Sequence, residues 1–347
     1  MSLVVATDLT GAQASFFVDP GERILHAGLR AGVALPFECA SGTCGTCKAS
    51  CASGEIEDLW PEAPARRTLR RAGEVLTCQT TCASPVELRF RDRFGTPPET
   101  LPAKLAGELR RVALLTADVA RFEVEIDRPV RYRAGQFALL EIPGVPGARA
   151  YSMTRHQPDE RRLTFLIRNF PGGGFSSELF GPTFAPRQVE LFGPLGRSVF
   201  RPEEERPFVA VAGGSGIAGM LSILDQAGRC GHYDRHPSEL VFGLRSPAAS
   251  YLLDELDEAA AASRGGLTVH VAFSDEAADD ALRVRYPHLE FAAGLVHDVA
   301  LARAGAAAER APIYFVAGPP PMVDATTRGL VMGQKALPTE IRFDRFG

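Results

Sequence analysis

Hydrophobic and polar positions divide the chain into three stretches of different rhythm. In the middle, Arg121-Phe122-Glu123-Val124-Glu125-Ile126 alternates polar with apolar, the period of a strand with one buried and one wet face. Residues 137–142, 163–168 and 188–192 read as further strands. Many short strands separated by Pro/Gly turns predict a small antiparallel barrel from about 103 to 204. From about 205 the rhythm changes. Phe208-Val209-Ala210-Val211-Ala212 is a continuous apolar run that ends in glycines, and residues 240–243, 267–273 and 313–317 repeat it with helix-like stretches between. Strands buried on both faces and alternating with helices predict a parallel α/β sheet. The first stretch, to about 92, has short strands, a helix near 24–31 and a closing strand at 86–90. The Pro/Gly-rich run from Phe94 to Pro102 reads as a linker over 93–102.

Composition narrows the classes. A chain of 347 residues expects two or three domains, and 45% apolar with 23% charged residues is ordinary for a globular protein. The net charge of −4 and the lack of a basic stripe with interleaved aromatics argue against nucleic-acid binding. Arg66, Arg67, Arg70 and Arg71 form a local basic run, read as a solvated helix face, with a docking patch for an acidic partner as the other reading. Seven cysteines, an odd number, do not suggest a disulfide framework. With no signal peptide and no long apolar span, the expectation is a cytoplasmic monomer with reduced thiols and no membrane insertion.

The cysteines carry the strongest chemical message. Cys39, Cys44 and Cys47 stand as C-x4-C-x2-C, followed at a distance by Cys78, the spacing of a plant-type [2Fe–2S] ferredoxin. Only Ala, Ser, Gly and Thr lie between the first three, which lets backbone N–H groups turn toward sulfur and tune the cluster. A zinc site or a redox disulfide are the competing readings; zinc sites favour paired C-x2-C or His partners. Cys51 echoes the end of a bacterial [4Fe–4S] run, but position 41 is Ser, so Cys51, Cys82 and Cys230 read as free, inert thiols.

Two further regions suit flat, phosphorylated ligands. In Arg149-Ala150-Tyr151-Ser152-Met153, alternate residues share a face, so Arg149 can fork a pyrophosphate beside Tyr151, and Ser152 can hydrogen-bond a ring edge. Ile167 and Arg168 lead into Gly172-Gly173-Gly174-Phe175-Ser176, a glycine turn opening a helix at 176–180; its plain alternative is a flexible turn with a serine N-cap. Gly213-Gly214-Ser215-Gly216-Ile217 follows a strand, where nucleotide phosphates bind in α/β sheets, yet it fits neither G-x-G-x-x-G nor the G-x-S-x-G nucleophile elbow. Gly318-Pro319-Pro320-Pro321-Met322 stands at another strand end on the same edge. The late Phe343 and Phe346 read as core, or as an aromatic lid over a flat cofactor.

Taken together and in this order, the cysteine loop, R-x-Y-S, G-G-S-G-I and G-P-P-x-M resemble the ferredoxin–NADP reductase superfamily. More narrowly, they are similar to NADH-dependent reductase components of bacterial multicomponent oxygenases. Gly54-Glu55-Ile56-Glu57-Asp58-Leu59-Trp60-Pro61 and the ending Phe343-Asp344-Arg345-Phe346 resemble the toluene and xylene monooxygenase type. The resemblance implies a plant-type ferredoxin (β-grasp) domain over 1–92, a linker over 93–102, an FAD-binding β-barrel over 103–204 and an NAD-binding α/β domain over 205–347. It implies that Cys39, Cys44, Cys47 and Cys78 bind [2Fe–2S]. Arg149, Ala150, Tyr151, Ser152, Met153, Ile167, Arg168, Gly173, Gly174, Phe175 and Ser176 would hold FAD. Gly213, Gly214, Ser215, Gly216, Gly318 and Pro319 would line the nicotinamide nucleotide, and Phe346 would stack on the flavin.

The implied activity is electron transfer from NADH through FAD and the cluster to an oxygenase component or a Rieske-type ferredoxin. Ser152, Asp344 and Phe346 are the candidates nearest the hydride step. Arg245 is a lone arginine beside acidic Asp275 and Glu276, which favours NADH over NADPH. Two departures stand out: Ala317 occupies the place of the family's cysteine before G-P-P-x-M, and Gly219 stands where proline is common, expected to loosen that helix start. An aromatic-hydrocarbon monooxygenase is the leading partner and a Rieske-type dioxygenase the alternative; a non-catalytic redox sensor, favoured by Ala317, is the reading of another class.

Overall fold

The computed structural model describes residues 1–157, 160–181, 184–303 and 311–346. In the first domain β1 (Ser2–Thr7), β2 (Gln13–Val18), α1 (Ile24–Arg30), β3 (Lys48–Ser53), β4 (Ile56–Asp58), β5 (Glu74–Leu76), β6 (Thr80–Cys82) and β7 (Val86–Phe90) follow in order. The main sheet runs β2-β1-β7-β3-β5, with β1 and β7 parallel and the other neighbours antiparallel. Ile24, Leu25, Ala27 and Leu29 of α1 are buried with Val4, Val18 and Leu88 of the sheet. The arginine run is not a helix face. Arg66 and Arg67 lie in a 3-10 turn (Pro64–Thr68), and Arg70 and Arg71 follow it, because the Arg70 and Arg71 N–H groups turn in to donate to Glu74 Oε2 at 2.6 and 3.1 Å.

The barrel is built from β8 (Ala103–Leu114), β9 (Val119–Val130), β10 (Phe137–Glu141), β11 (Arg149–Ser152), β12 (Glu160–Arg168), α2 (Gly174–Phe180) and β13 (Arg187–Leu195). Its six strands are all antiparallel, in the order β11-β10-β13-β8-β9-β12, and a Met153–Phe165 bridge joins the ends of the curl. The alternation in β9 holds: Phe122, Val124 and Ile126 are buried inside. Outside, Arg110 of β8 reaches across to Glu125 at 2.8 Å. The barrel's outer face packs on the first domain. His26 of α1 stacks on Phe192 with ring centres 4.0 Å apart, and Arg23 forks onto Glu141 at 2.8 and 3.0 Å.

The third domain comprises β14 (Phe208–Gly213), α3 (Ile217–Arg229), β15 (Ser238–Leu244), α4 (Leu253–Ala262), β16 (Leu267–Phe273), α5 (Asp280–Arg285), β17 (Leu289–Ala293), α6 (Val296–Arg303), β18 (Ile313–Gly318), α7 (Pro320–Met332) and β19 (Ile341–Arg345). All its strands are parallel, ordered β17-β16-β15-β14-β18-β19. β14 shows why its sequence is continuously apolar. Phe208, Ala210 and Ala212 join the core on one side of the sheet, and Val209 and Val211 the core on the other. From β14 the chain builds outward through β15, β16 and β17, then returns to the other side of β14 with β18 and β19, so the strand order reverses there and opens a crevice at its C-terminal end. The fold class expected from the pattern is the one observed. Gly219 does not loosen α3, which runs unbroken from Ile217; Ser222 Oγ donates to the Gly219 carbonyl at 2.8 Å and accepts from Gly135 N–H at 2.8 Å.

Candidate functional site

The cysteine loop is held by left-handed backbone at Ala40, Gly42 and Gly45. Gly45 has a second constraint: a Cβ there would lie 2.5 Å from Thr68 Oγ1, so the turn after β4 clasps the loop only because no side chain intervenes. The four sulfurs fall into two pairs. Cys47 Sγ is 3.2 Å from Cys78 Sγ, and Cys44 turns its N–H onto Cys39 Sγ at 3.4 Å. Hydrogen bonding within each pair pulls one thiol down and pushes the other up: Cys39 and Cys47 fall, Cys44 and Cys78 rise. Further donors surround them, with Ser41 N–H on Cys39 Sγ at 3.4 Å, Thr46 N–H on Cys44 Sγ at 3.5 Å and Gln79 Nε2 on Cys78 Sγ at 3.5 Å. Two cysteine pairs suit a two-iron cluster. They do not suit one tetrahedral ion: among the described residues no group of three or more Cys, His, Asp or Glu is arranged to hold a single metal. Cys51, Cys82 and Cys230 are free thiols, Cys82 buried and Cys230 exposed.

Beside this loop opens a cavity of about 730 Å³ that touches all three domains. Cys39, Ser41, Thr43 and Trp60 form its first wall, Arg149 to Ser152 its second, and Gly213 to Gly216 with Gly318, Pro319, Arg345 and Phe346 its third. Several polar groups in it are unsatisfied within the protein. Among the described residues Ser152 Oγ and the Tyr251 hydroxyl are buried with no hydrogen-bond partner. Arg149 donates only to the Ala148 carbonyl at 3.1 Å and meets no carboxylate among the described residues; its guanidinium lies over the Trp60 ring, 4.8 Å from the centre. A cationic fork half-buried between aromatic rings, with orphaned hydroxyls nearby, fits a ligand carrying phosphates and a flat ring.

The expected flavin residues do not all reach this cavity. Arg149, Ala150, Tyr151, Ser152, Arg168, Gly173, Phe175 and Ser176 line it. Met153 and Ile167 lie in the barrel core, and Gly174 stands off the wall. Strand alternation explains Ile167, since its neighbours Leu166 and Arg168 take the cavity side. Ser176 is not an N-cap: it sits inside α2, and its Oγ accepts the Phe170 N–H at 3.0 Å to close the glycine turn.

The nucleotide loops interlock at the crevice. A Cβ on Gly216 would stand 2.4 Å from the Ala317 carbonyl oxygen, so only glycine lets the two strand ends approach. Gly214 is left-handed at φ +53° with open space around it. Met322 joins the wall, with Sδ 2.6 Å from where a Gly213 Cβ would be. Phe346 N–H donates to the Gly318 carbonyl at 3.0 Å, fixing the terminal aromatic against the cavity. Asp344 pairs in register with Ala317, off the cavity wall, and its carboxyl is raised to about 7 by burial and then by nearby Glu38. Trp60, Leu166, Tyr251, Ser274, Met322 and Arg345 also line the cavity, beyond the residues expected to contact a cofactor. Trp60 and Arg345 reach it across domains, which leaves no local signature in the sequence.

Comparison with known proteins agrees with this geometry. Residues 8–83 match the model of a 2Fe-2S iron-sulfur cluster binding domain, 106–200 an oxidoreductase FAD-binding domain, and 210–328 an oxidoreductase NAD-binding domain. The chain is 35% identical to the ferredoxin–NAD(+) reductase component of the alkene monooxygenase system of Xanthobacter autotrophicus, over 96% of this chain and 98% of that one. It is 31% identical to the reductase component of a Pseudomonas phenol 2-monooxygenase, over 95% and 90% of the two chains. Among solved structures, the ferredoxin reductase in carbazole 1,9a-dioxygenase superposes with a TM-score of 0.81 at 29% identity, covering 99% of this chain and 98% of that one. The cofactors are a [2Fe–2S] cluster, FAD and NADH, and the acceptor is an oxygenase or its ferredoxin. This chain belongs to the ferredoxin–NAD(P)(+) reductase components of bacterial oxygenase systems, three-domain flavin and iron–sulfur oxidoreductases.

Proposed function

We propose that the central cavity is the whole working path of the enzyme, with its partner an oxygenase of the hydrocarbon monooxygenase type. The observation that carries this is the continuity of one cavity from Cys39 past Arg149 and Ser152 to Gly216 and Phe346. When bound, FAD accepts electrons in pairs and releases them singly, and the cluster carries one at a time. The protein supplies position, electrostatics and exclusion of water.

In this reading Cys39, Cys44, Cys47 and Cys78 are the cluster ligands. Arg149 neutralises the FAD pyrophosphate from its seat over Trp60. Ser152 would offer its unsatisfied hydroxyl to the flavin edge, and Phe346, on the same cavity wall, would shield the flavin ring from water. Asp344, its carboxyl raised to about 7 by burial, is a positioning residue on β19 in register with Ala317. Gly213 to Gly216 and the Gly318-Pro319 turn cradle the nucleotide phosphates. Asp275 donates its N–H to the Arg245 carbonyl at 2.9 Å, bringing a carboxylate to the rim where a 2′-phosphate would sit, which supports preference for NADH. We take the domain limits as 1–92, 103–204 and 205–347, with 93–102 as linker, and the enzyme as a monomer in the cytoplasm; among the described residues no helix is long and apolar enough to cross a membrane.

The alkene and phenol monooxygenase relatives support a monooxygenase acceptor. The dioxygenase reading has support of its own in the 0.81 superposition on the carbazole dioxygenase reductase and the 31% identity to the reductase component of a naphthalene 1,2-dioxygenase system. Ala317, the feature behind the sensor reading, is buried behind the nucleotide turn and does not line the cavity. Mixing the purified reductase and NADH with an alkene or phenol monooxygenase hydroxylase, and separately with a Rieske-type ferredoxin, tests the choice. Substrate oxidation with the hydroxylase is the expected result; rapid reduction of the Rieske ferredoxin alone would replace it with the dioxygenase reading.

A further inference from the structure

The cluster loop has two sides. Cys39, Ser41 and Thr43 face the central cavity. The loop is clasped by the turn Pro64–Thr68, which starts at the cavity wall with Pro64 and runs on to the Gly45 edge: Ala65 N–H donates to the Gly42 carbonyl at 2.9 Å, Thr68 fills the space at Gly45, and Lys48 Nζ donates to the Thr68 carbonyl at 2.9 Å. Cys44, Gly45 and Thr46 on this edge are half-buried, whereas Cys39, Cys47 and Cys78 are buried.

From the clasp three guanidinium groups project into water. Arg67, Arg70 and Arg71 are exposed, and none has an ion pair or hydrogen bond from its side chain among the described residues. The nearby carboxylates are otherwise engaged: Asp58 pairs with Arg66, and buried Glu74 takes the Arg70 and Arg71 N–H groups together with Arg91. Between Glu62 and Glu74 the one exposed carboxylate is Glu62. A local surplus of positive charge on a chain of net charge −4 stands against the sign of the whole molecule. Three charges spent on solvation alone would be indifferent to position, but Arg67 stands on the turn that grips the cluster loop and Arg70 and Arg71 directly follow it.

We propose that Arg67, Arg70 and Arg71 form the docking rim for an electron-accepting protein with carboxylates around its own redox centre, set against the Cys44–Thr46 edge. The inference rests on the reductase reading above and adds the chemistry of the partner's face. Oppositely charged rims steer encounter and fix orientation, an effect that falls steeply with salt. Each docked acceptor takes one electron, so two ferric haems are reduced for each NADH oxidised, with one proton released.

The probe is horse-type cytochrome c, native and basic, or succinylated and acidic, so that one haem protein is offered with opposite surface charge. Binding of the oxidised proteins to the holoenzyme at low ionic strength is measured by surface plasmon resonance, without NADH. The second-order rate of haem reduction is measured in parallel. The succinylated form is expected to bind and be reduced roughly tenfold faster at low salt than at high salt. The charge-swapped variant R67E/R70E/R71E should lose that binding and prefer the native form, and the neutral variant R67Q/R70Q/R71Q should fall between. Anaerobic bleaching of the cluster by NADH, read by stopped flow without any acceptor, should be unchanged in both variants. Equal binding and salt response in wild type and variants, with normal bleaching, would overturn the docking rim. Absence of bleaching in the wild type would instead overturn the reductase reading beneath it.

Discussion

Arg345 Nη1 lies 2.6 Å from Glu38 Oε1, joining the last strand of the third domain to the residue before the first cluster cysteine, 307 positions away. The same guanidinium holds Asp324 of α7 through Nη2 at 2.9 Å and lies over the Phe343 ring, 4.4 Å from its centre. One side chain thus ties α7, the Phe343 ring and the cluster loop together. Arg345→Ala is expected to slow cytochrome c reduction about tenfold, the scale of a charge-assisted hydrogen bond, while NADH–ferricyanide turnover falls less than about twofold. Glu38→Gln should do the same, and the double variant should cost no more than either alone. Equal loss in both assays would make the pair merely structural.

Asp344 provides a pH test. Its folded pKa, raised to about 7, lies above its unbound value of 3.8, so the native state holds the proton more tightly than the unfolded chain. The stability that this preference confers is whole below pH 3.8 and is lost as pH rises to about 7. Asp344→Asn should therefore melt above the wild type at pH 8, and the gap should close toward pH 4. Thermal melts of the holoenzyme across that range decide it; a gap independent of pH would remove the buried carboxyl from the account.

Arg149 and Trp60 give a test of flavin seating. Arg149→Ala should weaken FAD retention by roughly tenfold or more, read as the flavin-to-protein ratio after gel filtration, with iron content unchanged. Trp60 is the single tryptophan of the chain and lines the cavity, so its fluorescence should rise when FAD is stripped and fall again on readdition. Emission indifferent to flavin would place FAD elsewhere.

Gly216 and Gly214 separate close approach from backbone strain. Gly216→Ala drives a methyl to 2.4 Å from the Ala317 carbonyl oxygen, and the KM for NADH should rise about tenfold or more as the crevice is pushed open. Gly214→Ala meets no neighbour and should show only the cost of left-handed alanine, about 1 kcal/mol in stability, with a smaller change in KM. Similar KM values for the two variants would contradict the interlocked-loop geometry.

Much of this architecture was legible in the sequence because its signals are local. Three of the four candidate ligands fall within the nine residues Cys39 to Cys47, and β9 and β14 announce one-sided and two-sided burial through their own patterns. The failures have physical causes. Ile167 was chosen for the cavity, but the strand gives that side to Leu166 and Arg168. Ser176 reads as a cap by residue type, yet the helix begins two residues earlier and its hydroxyl closes the preceding turn. Arg66 to Arg71 do not form one helix face because the 3-10 turn ends at Thr68 and Glu74 draws the Arg70 and Arg71 N–H groups into a separate turn. Arg345 with Glu38, and Trp60 with Arg149, meet only after three domains pack, so no window of sequence contains either pair.

The most direct test of the single-path account is an anaerobic titration of the as-purified protein with NADH, followed by absorption spectroscopy. Flavin bands and the broad iron–sulfur absorption should both bleach, with the end point near about 1.5 NADH per chain, two electrons for the flavin and one for the cluster. Bleaching of the flavin with iron–sulfur absorption unmoved, or a protein that carries zinc in place of iron and sulfide, would contradict it.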